Sequence, residues 1–417
     1  MTSLRNVLII GAGGVGVATA HKCAQNNDRL GDIWLASRTV GKCEKIANDI
    51  KARGNLADPG GRLETRALDA KDVSATAALI EETQASIVLN VGSPYINMAV
   101  MEACLQAGAH YLDTAVYERE GEMNMPPPWY ETYEWTLREK FAEAGLTAVL
   151  GIGFDPGVVN AFCAYVRKHL IEKIRTIDIM DVNAGDHGRY FATNFDPETN
   201  LREILEDVAY WENGAWQSIP CHSKSRTYEF PEVGEFKLFS MGHDELHSLA
   251  VNIDAERIEF WMGFSERYLE VFNVLKNLGL LSPDPVDVEG QKVVPIKLIK
   301  ALLPDPSTLA EGYRGKVCIG NEITGEAEGR ERTVFIYSTK SHEDCYADVG
   351  SQAISYTTGI PAVTAALLIA DGRWRANRMV NVEELDPDPF LEEMPGLGID
   401  WAVIDSWGRS PKTEITS

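Results

Sequence analysis

A glycine-rich hexapeptide near the start of the chain constrains the fold more than any other feature of the sequence. Residues 11–16 read GAGGVG, which has the spacing G-x-G-x-x-G. An apolar run at 6–10 precedes this motif, and a stretch of helical character at 15–26 follows it. In such a strand, turn and helix, glycines let the backbone approach a pyrophosphate, and the helix N-terminus stabilises its charge. The motif predicts a dinucleotide site formed by Gly11, Gly13, Gly14, Val15 and Gly16.

Apolar strands and amphipathic helices alternate along the first 155 residues. Helices are expected between the strands, among them 97–107 and 129–144. Six strands with intervening helices predict an α/β fold that begins with a Rossmann domain, a doubly wound parallel sheet. Later strand-like runs are irregular, which predicts a second, α+β domain with a mixed sheet. Besides the first strand at 6–10, the predicted Rossmann strands are 33–36, 63–68, 87–90, 111–113 and 147–150.

The length of 417 residues exceeds what a single hydrophobic core usually supports, so we expect more than one domain. We predict the Rossmann domain at 1–155 and a substrate-binding and dimerisation domain at 156–350. Because the stretch 352–370 is apolar and helical, the C-terminal segment 351–417 is expected to return to the Rossmann domain.

The residues after the second predicted strand indicate which dinucleotide binds. A chain that binds NAD usually places Asp or Glu there, whereas this chain has Ser37-Arg38-Thr39. Arg38 can pair with a 2′-phosphate, and the two hydroxyl side chains add donors. The sequence therefore predicts NADP(H) as cofactor, the alternative being that Arg38 is a solvated loop residue. Asp69 follows the third strand and is predicted either to lie near the adenine or to cap the next helix.

Composition excludes several classes of partner. The formal net charge of −23 repels nucleic acid and anionic membrane surfaces. Outside the glycine-rich start, no run approaches the roughly 18 apolar residues that cross a bilayer. The seven cysteines form no Cys-x-x-Cys pair, which predicts a reducing, cytoplasmic location and no structural zinc. The segment 243–247 (HDELH) departs from the zinc-protease pattern, so we predict no metal site there, although His243 and Asp244 remain candidates for substrate binding.

Polar residues follow the last three predicted strands of the Rossmann domain. In doubly wound sheets, ligands bind beyond the carboxyl ends of the strands. Asn90 leads into a loop that is expected to face the nicotinamide ribose through Val91 and Pro94. Three residues of this edge are catalytic candidates, each with a structural alternative: packing for Tyr95, a helix cap for Asp113 and a turn for Asp155.

These motifs together resemble the saccharopine dehydrogenase family. The resemblance runs along the whole chain, and the segments at 111–114 and 153–157 are more diagnostic than the glycine motif. Further likeness lies at 90–95, 126–129 and 183–188. The segments that carry the resemblance read GAGGVG, SRT, YLDT, GFDPG, NVGSPY, PPPW and NAGDHG.

The resemblance implies NADPH-dependent reduction of the Schiff base formed between L-aspartate β-semialdehyde and a diamine, either 1,3-diaminopropane or putrescine. The product would be carboxynorspermidine or carboxyspermidine, in polyamine biosynthesis. Positions matching Tyr95 and Asp113 lie near substrate in related reductases. Asp113 or Asp155 would stabilise the iminium and relay protons. Arg202 or Arg189 could pair with the substrate α-carboxylate, and an acidic residue with the distal ammonium. A homodimer through the second domain is expected.

Two alternative functions remain open at the level of the sequence. The first is a saccharopine reductase, which shares the fold, cofactor and chemistry but uses aminoadipate semialdehyde and glutamate. The second is a non-catalytic NADP(H)-binding regulator. Activity with a semialdehyde and an amine separates the regulator from both enzymes.

Overall fold

The computed structural model describes residues 6–120, 125–405 and 415–416. Their strands form a seven-stranded sheet, a ten-stranded sheet and a two-stranded hairpin. In chain order the strands are β1 (Val7–Ile10), β2 (Ile33–Ser37), β3 (Leu63–Ala67), β4 (Ile87–Asn90), β5 (His110–Asp113), β6 (Ala148–Leu150), β7 (Lys173–Asn183), β8 (Val208–Glu212), β9 (Ala215–Ile219), β10 (Ser225–Phe230), β11 (Gly234–Met241), β12 (Arg257–Gly263), β13 (Val286–Val288), β14 (Gln291–Val293), β15 (Lys316–Ala327), β16 (Arg330–Ser341), β17 (Met379–Asn381), β18 (Ala402–Asp405) and β19 (Ile415–Thr416).

Helices cover both sheets, and short 3-10 turns at 94–96, 134–137, 306–308 and 382–384 supplement them. In chain order the helices are α1 (Gly14–Ala24), α2 (Asn27–Leu30), α3 (Val40–Arg53), α4 (Val73–Thr83), α5 (Asn97–Ala107), α6 (Trp129–Thr132), α7 (Arg138–Ala144), α8 (Val158–His169), α9 (Pro197–Leu205), α10 (Leu246–Asn252), α11 (Glu266–Asn277), α12 (Pro295–Leu302), α13 (His342–Val349), α14 (Ala353–Ala370) and α15 (Asp388–Leu397).

The first sheet is parallel throughout and has the order β17-β6-β5-β4-β1-β2-β3. The predicted doubly wound fold is therefore confirmed, with all six predicted strands present. Strand order reverses between β1 and β4, which places the ligand-binding crevice at their carboxyl ends. The prediction of six strands was one short, because β17 joins β6 at the edge. The three buried residues of β17 are too few to show a recognisable strand pattern in the sequence.

The predicted helix at 129–144 was wrong as a single element. The chain forms α6, a 3-10 turn and α7, and Tyr133 between them has the non-helical angles φ −124° and ψ −89°. Tertiary contacts stabilise this interruption of the helix. Trp135 stacks on Tyr130, and its Nε1 donates to Asn381 Oδ1 at 3.0 Å. Packing of aromatic rings on distant strands thus overrides helix propensity here.

The long apolar helix α14 packs against α1 beneath the glycine motif. A Cβ on Gly359 would lie 2.7 Å from Thr19 Oγ1 and 3.1 Å from the Val15 carbonyl oxygen, so only glycine allows this close approach. The expectation that no run reaches membrane-spanning length was wrong, because α14 passes that test by length and composition. However, 83% of this helix is buried within the fold, as in a core helix.

The second sheet is mixed and has the order β18-β16-β15-β7-β12-β11-β10-β19, with β8 and β9 attached to β12. Strands β7 and β12 are parallel, and the remaining neighbours are antiparallel. A large core joins residues from β1, β7 and α14 and so continues between the two sheets. The C-terminal segment supplies β17 to the first sheet and β18 to the second. The domain boundaries at 155 and 350 stay predictions.

Candidate active site

The glycine motif forms the turn between β1 and α1, and its glycines have different roles. Gly11 has a φ of +123°, and a Cβ there would lie 2.7 Å from the Val91 carbonyl oxygen. A Cβ on Gly16 would lie 2.1 Å from the Gly11 carbonyl oxygen, whereas one on Gly13 would meet no protein atom within 4 Å. These are the features of a dinucleotide loop: a tight turn, an open approach for the pyrophosphate, and close packing of helix on strand. The residues present fit the cofactor.

The structure explains why position 14 is a glycine, which the sequence motif did not. A Cβ there would lie 2.4 Å from Ser355 Oγ, at the start of α14. The C-terminal part of the chain thus packs directly against the nucleotide loop. Val15 lies in the first turn of α1, where the N-cap residue Gly13 makes no side-chain hydrogen bond.

The 2′-phosphate candidates lie at the carboxyl end of β2. Arg38 and Thr39 are exposed, and the Thr39 amide donates to Ser37 Oγ at 3.1 Å. This bond gives the turn its shape and leaves the guanidinium at the surface. Asp69 is also exposed, and it does not cap the next helix: the N-cap of α4 is Asp72, which accepts from the Ala75 amide at 3.0 Å.

Replacing Arg38 by alanine is expected to raise the KM for NADPH about tenfold to a hundredfold, because a charge-assisted hydrogen bond to phosphate contributes ~1.5–3 kcal/mol. The KM for NADH should change little, since NADH lacks the 2′-phosphate. Steady-state kinetics with both cofactors measure this difference. Lys51→Ala, an exposed cation at the far end of α3, is the matched control. An equal rise in both KM values for Arg38→Ala would contradict the assignment.

Asn90 and Asp113 belong to one buried hydrogen-bond network. Asn90 Nδ2 donates to Asn97 Oδ1 at 2.8 Å and to Tyr111 Oη at 3.2 Å. Tyr111 Oη donates to Asp113 Oδ2 at 2.9 Å, and the Gly151 amide donates to Asp113 Oδ1 at 2.6 Å. The network joins the carboxyl ends of β4, β5 and β6. It orders the crevice in which Val91 and Pro94 are predicted to contact the nicotinamide ribose.

Asp113 is 1% exposed and does not cap a helix. Burial raises the pKa of its carboxyl to about 7, and the charge of Asp244 adds to this, while the bonds from Gly151 and Tyr111 oppose it. A group with a pKa near neutrality can exchange a proton at the pH of a cell. The catalytic role of Asp113 stays a prediction.

Tyr95 connects the Rossmann edge to the second domain. Its hydroxyl accepts from Arg202 Nη1 at 2.9 Å. The same nitrogen lies 2.9 Å from Glu118 Oε2, and Nη2 lies 3.5 Å from Glu206 Oε1. The structure thus brings together two residues that the sequence singled out separately. The packing alternative for Tyr95 does not account for this polar contact.

A cleft lies against these residues, and most of the residues that line it have polar side chains. It adjoins the carboxyl end of β5, because Asp244 Oδ2 accepts from the Val116 amide at 2.7 Å. Five of the lining side chains are carboxylic acids, against one arginine and two histidines. The lining residues are Glu118, Met125, Trp129, Thr199, Arg202, Glu203, Glu206, Asp207, Ala209, Gly242, His243, Asp244 and His247.

The two histidines of the cleft differ in charge. His243 Nδ1 and Glu245 Oε2 are 2.6 Å apart. Burial by itself would lower the pKa of His243. The pKa is nevertheless well above its usual value, because Glu245 and neighbouring carboxylates favour the charged ring. Burial lowers the pKa of His247 to about 3. Its Nδ1 accepts from the Trp129 amide at 3.3 Å, and its ring stacks on that of Trp129 at 4.4 Å. His247 is therefore neutral.

Asp155 lies in the turn at 153–157, as its structural alternative proposed. Its pKa is raised well above the usual value by burial and then by the charges of Asp181 and Glu245, whereas His243 lowers it. Burial likewise raises the pKa of Asp181 to about 7. Asp155 therefore belongs to a second group of acids around His243, and its catalytic role stays a prediction.

The predicted site residues did not include Glu118 or Glu203, and His247 was considered only as part of the segment 243–247. Glu118 follows the carboxyl end of β5 in an irregular loop, and no local pattern marks it. Arg202 and Glu203 lie three and four residues after Thr199, on one face of α9, which is a signal that could have been used. Among the described residues, no group of three or more His, Cys, Asp or Glu side chains is arranged to hold a metal ion.

Comparison with known proteins agrees with this geometry. The family model "Saccharopine dehydrogenase NADP binding domain" matches residues 7–149, and "Saccharopine dehydrogenase C-terminal domain" matches residues 153–399. A saccharopine dehydrogenase (L-Glu forming) from Saccharomyces cerevisiae has a similar fold, with a TM-score of 0.70 and 15% identity. The superposition covers 96% of this chain and 99% of the yeast chain.

Three curated relatives match over nearly their whole length. A carboxynorspermidine synthase of Vibrio alginolyticus is 56% identical over 95% of this chain and 96% of its own. A carboxynorspermidine synthase of Vibrio cholerae is 50% identical over 98% and 99%. A carboxyaminopropylagmatine dehydrogenase of Synechocystis is 45% identical over 96% and 98%. With both family domains matched, the chain belongs to the saccharopine dehydrogenase family and is an NADP-dependent oxidoreductase.

Proposed function

We propose that this enzyme reduces the imine between L-aspartate β-semialdehyde and a diamine, 1,3-diaminopropane or putrescine, to carboxynorspermidine or carboxyspermidine. Two relatives named carboxynorspermidine synthase, at 56% and 50% identity, support the proposal. The structural observation that carries it is the acidic cleft next to the carboxyl edge of the Rossmann sheet. Low-dielectric walls lined by one sign of charge concentrate ligands of the opposite sign.

The same cleft argues against the saccharopine reductase alternative. Glutamate would bring two carboxylates to a surface that already carries Glu118, Glu203 and Asp244. Like charges placed together in a poorly solvated site cost several kcal/mol. A diamine brings positive charge instead. The non-catalytic alternative is set aside, because the chain belongs to a family of dehydrogenases.

The reaction is a condensation followed by a reduction. The amine and the aldehyde lose water to form a C=N bond, and NADPH supplies the hydride that reduces its carbon. Tyr95, one of the predicted catalytic residues, is hydrogen-bonded to the cleft residue Arg202. We assign Asp113 and Asp155 to the stabilisation of the protonated imine, and Arg202, with His243 and Asp244 beside it, to the binding of the substrate α-carboxylate and amino group.

The test follows the NADPH absorbance of purified enzyme with aspartate semialdehyde and one amine at a time. Oxidation with 1,3-diaminopropane or putrescine is expected, and the ratio of kcat/KM values ranks the diamines. Agmatine belongs in the series because of the Synechocystis relative. Oxidation only with glutamate and aminoadipate semialdehyde would move the enzyme to saccharopine synthesis. No oxidation with any pair would overturn the proposal.

We further propose a cytoplasmic homodimer without nucleic-acid or membrane partners. The net charge of −23 supports the absence of nucleic-acid and membrane partners. Four exposed apolar side chains on or directly after α11 and α12 support contact through the second domain: Val274, Leu278, Leu298 and Leu302. Light scattering of the eluting protein should give a mass near twice the 46.0 kDa of the chain. A monomeric mass at micromolar concentration would contradict the dimer.

A further inference from the structure

The cleft is lined by one carboxyl group with an oxygen atom that no described group of the protein hydrogen-bonds. Glu203 lines the cleft, and its Oε2 is closed off from solvent and has no hydrogen-bond partner among the described residues. Such an atom is costly, since a buried polar group without a partner loses its hydration and gains nothing in return. Burial raises the pKa of Glu203 well above its usual value; the charge of His243 lowers it, and those of Asp244, Glu118 and Glu206 raise it further.

The cations of the cleft are already matched by other acids. Arg202 lies 2.9 Å from Glu118 and 3.5 Å from Glu206, and His243 lies 2.6 Å from Glu245. His247 is neutral because burial lowers its pKa to about 3. No described donor lies within hydrogen-bond distance of Glu203 Oε2, although the charge of His243 acts on this carboxyl group. A ligand in the cleft can supply the missing donor.

An apolar wall accompanies the acids. The Trp129 ring is held by its stacking on His247 and by the bond from its Nε1 to the Met125 carbonyl oxygen at 2.9 Å. Trp129 and Met125 both line the cleft. A fixed indole suits the methylene chain of an aliphatic amine and attracts an ammonium group at its face. A wall that combines an indole with an unpartnered carboxyl oxygen is complementary to an alkylammonium ion.

We propose that Glu203 binds the distal ammonium of the amine substrate, the one that does not react, while Trp129 covers the methylene chain. This assignment rests on the proposed function and names the part of the cleft that distinguishes a diamine from a monoamine. The distal ammonium supplies the donor that Oε2 lacks. Asp207, an exposed lining residue that follows α9, contributes long-range attraction.

The substitution Glu203→Gln tests the assignment, because it removes the charge and keeps the shape. The KM for the diamine is expected to rise about tenfold to a hundredfold, the loss typical of a hydrogen bond to a charged group, with little change in kcat. The KM for n-propylamine or n-butylamine, which lack the distal charge, should stay the same or fall. Glu102→Gln, an exposed acid on α5, is the matched control and should change neither value.

A binding measurement keeps the test independent of turnover and of the folding of the variant. Calorimetry on the wild-type enzyme with NADP⁺ should show that putrescine binds at least tenfold more tightly than n-butylamine. Equal affinities, or equal KM changes for diamine and monoamine in Glu203→Gln, would overturn the inference. If diamines bind selectively but no semialdehyde–amine pair oxidises NADPH, the proposed function fails and the subsite stands.

Discussion

Replacing Arg202 by methionine is expected to lower the free energy of unfolding by about 3–5 kcal/mol at pH 8, because it leaves a buried charge without its partner. Arg202 is 3% exposed and contacts Glu118, Glu206 and Tyr95 at once. Methionine retains much of the stem volume, so the loss is electrostatic rather than a cavity effect. Urea unfolding, followed by circular dichroism, measures it.

The cost of Arg202→Met should depend on pH. Burial, followed by the charge of Asp244, raises the pKa of Glu118 from 4.5 to about 7, while Arg202 lowers it and Glu206 raises it again. A carboxyl with a raised folded-state pKa contributes stability at low pH that is lost as the pH rises from the unfolded value through the folded one. Without Arg202 the folded-state pKa of Glu118 rises further, so this loss of stability extends to higher pH. The destabilisation caused by Arg202→Met should therefore be smaller at pH 5.5 than at pH 8.

The double variant Glu118→Gln/Arg202→Met provides the control. If the unpaired Glu118 carboxylate causes the destabilisation of Arg202→Met, removing its charge as well should restore about 1 kcal/mol or more of the free energy of unfolding at pH 8. A single Arg202→Met variant that unfolds within about 1 kcal/mol of wild type at pH 8 would show that the ion pair is immaterial.

Replacing Gly13 by alanine is expected to weaken NADPH binding about tenfold to a hundredfold without destabilising the apoenzyme. A Cβ at this position meets no protein atom within 4 Å, so the folded chain accommodates it. It would occupy the space through which the pyrophosphate approaches the backbone, and forced overpacking costs ~1–3 kcal/mol. The melting temperature of the apoenzyme should stay unchanged, while the increase in that temperature on adding NADPH should shrink.

Two further glycine variants separate the effects of binding and folding. Gly16→Ala places its Cβ 2.1 Å from the Gly11 carbonyl oxygen, so it should lower the melting temperature of the apoenzyme as well. Gly396→Ala, in α15, meets no protein atom within 4 Å and should leave NADPH binding intact. Wild-type affinity for NADPH in Gly13→Ala would remove Gly13 from the cofactor site.

Most of the Rossmann half was predictable because its signals are local. The glycine spacing, the apolar strands and the absence of an acid after β2 each occupy a few consecutive residues, and the six predicted strands are all present. Local patterns failed where a distant contact decided the structure. The helix at 129–144 breaks because Trp135 reaches Asn381, and β17 becomes a strand because it meets β6.

Only the tertiary structure decided the composition of the cleft. Its acids come from the loop after β5, from the end of α9 and from the segment before α10, so Glu118, Glu203 and Asp244 are far apart in the chain. Their charges matter because burial brings them together in a poorly solvated space, and no spacing in the sequence encodes that distance. The sequence by itself determined the cofactor loop and the parallel sheet, since strand and turn preferences act between neighbours. Folding determined which carboxyl oxygens lack a hydrogen-bond partner, since such partners come from contacts between distant segments.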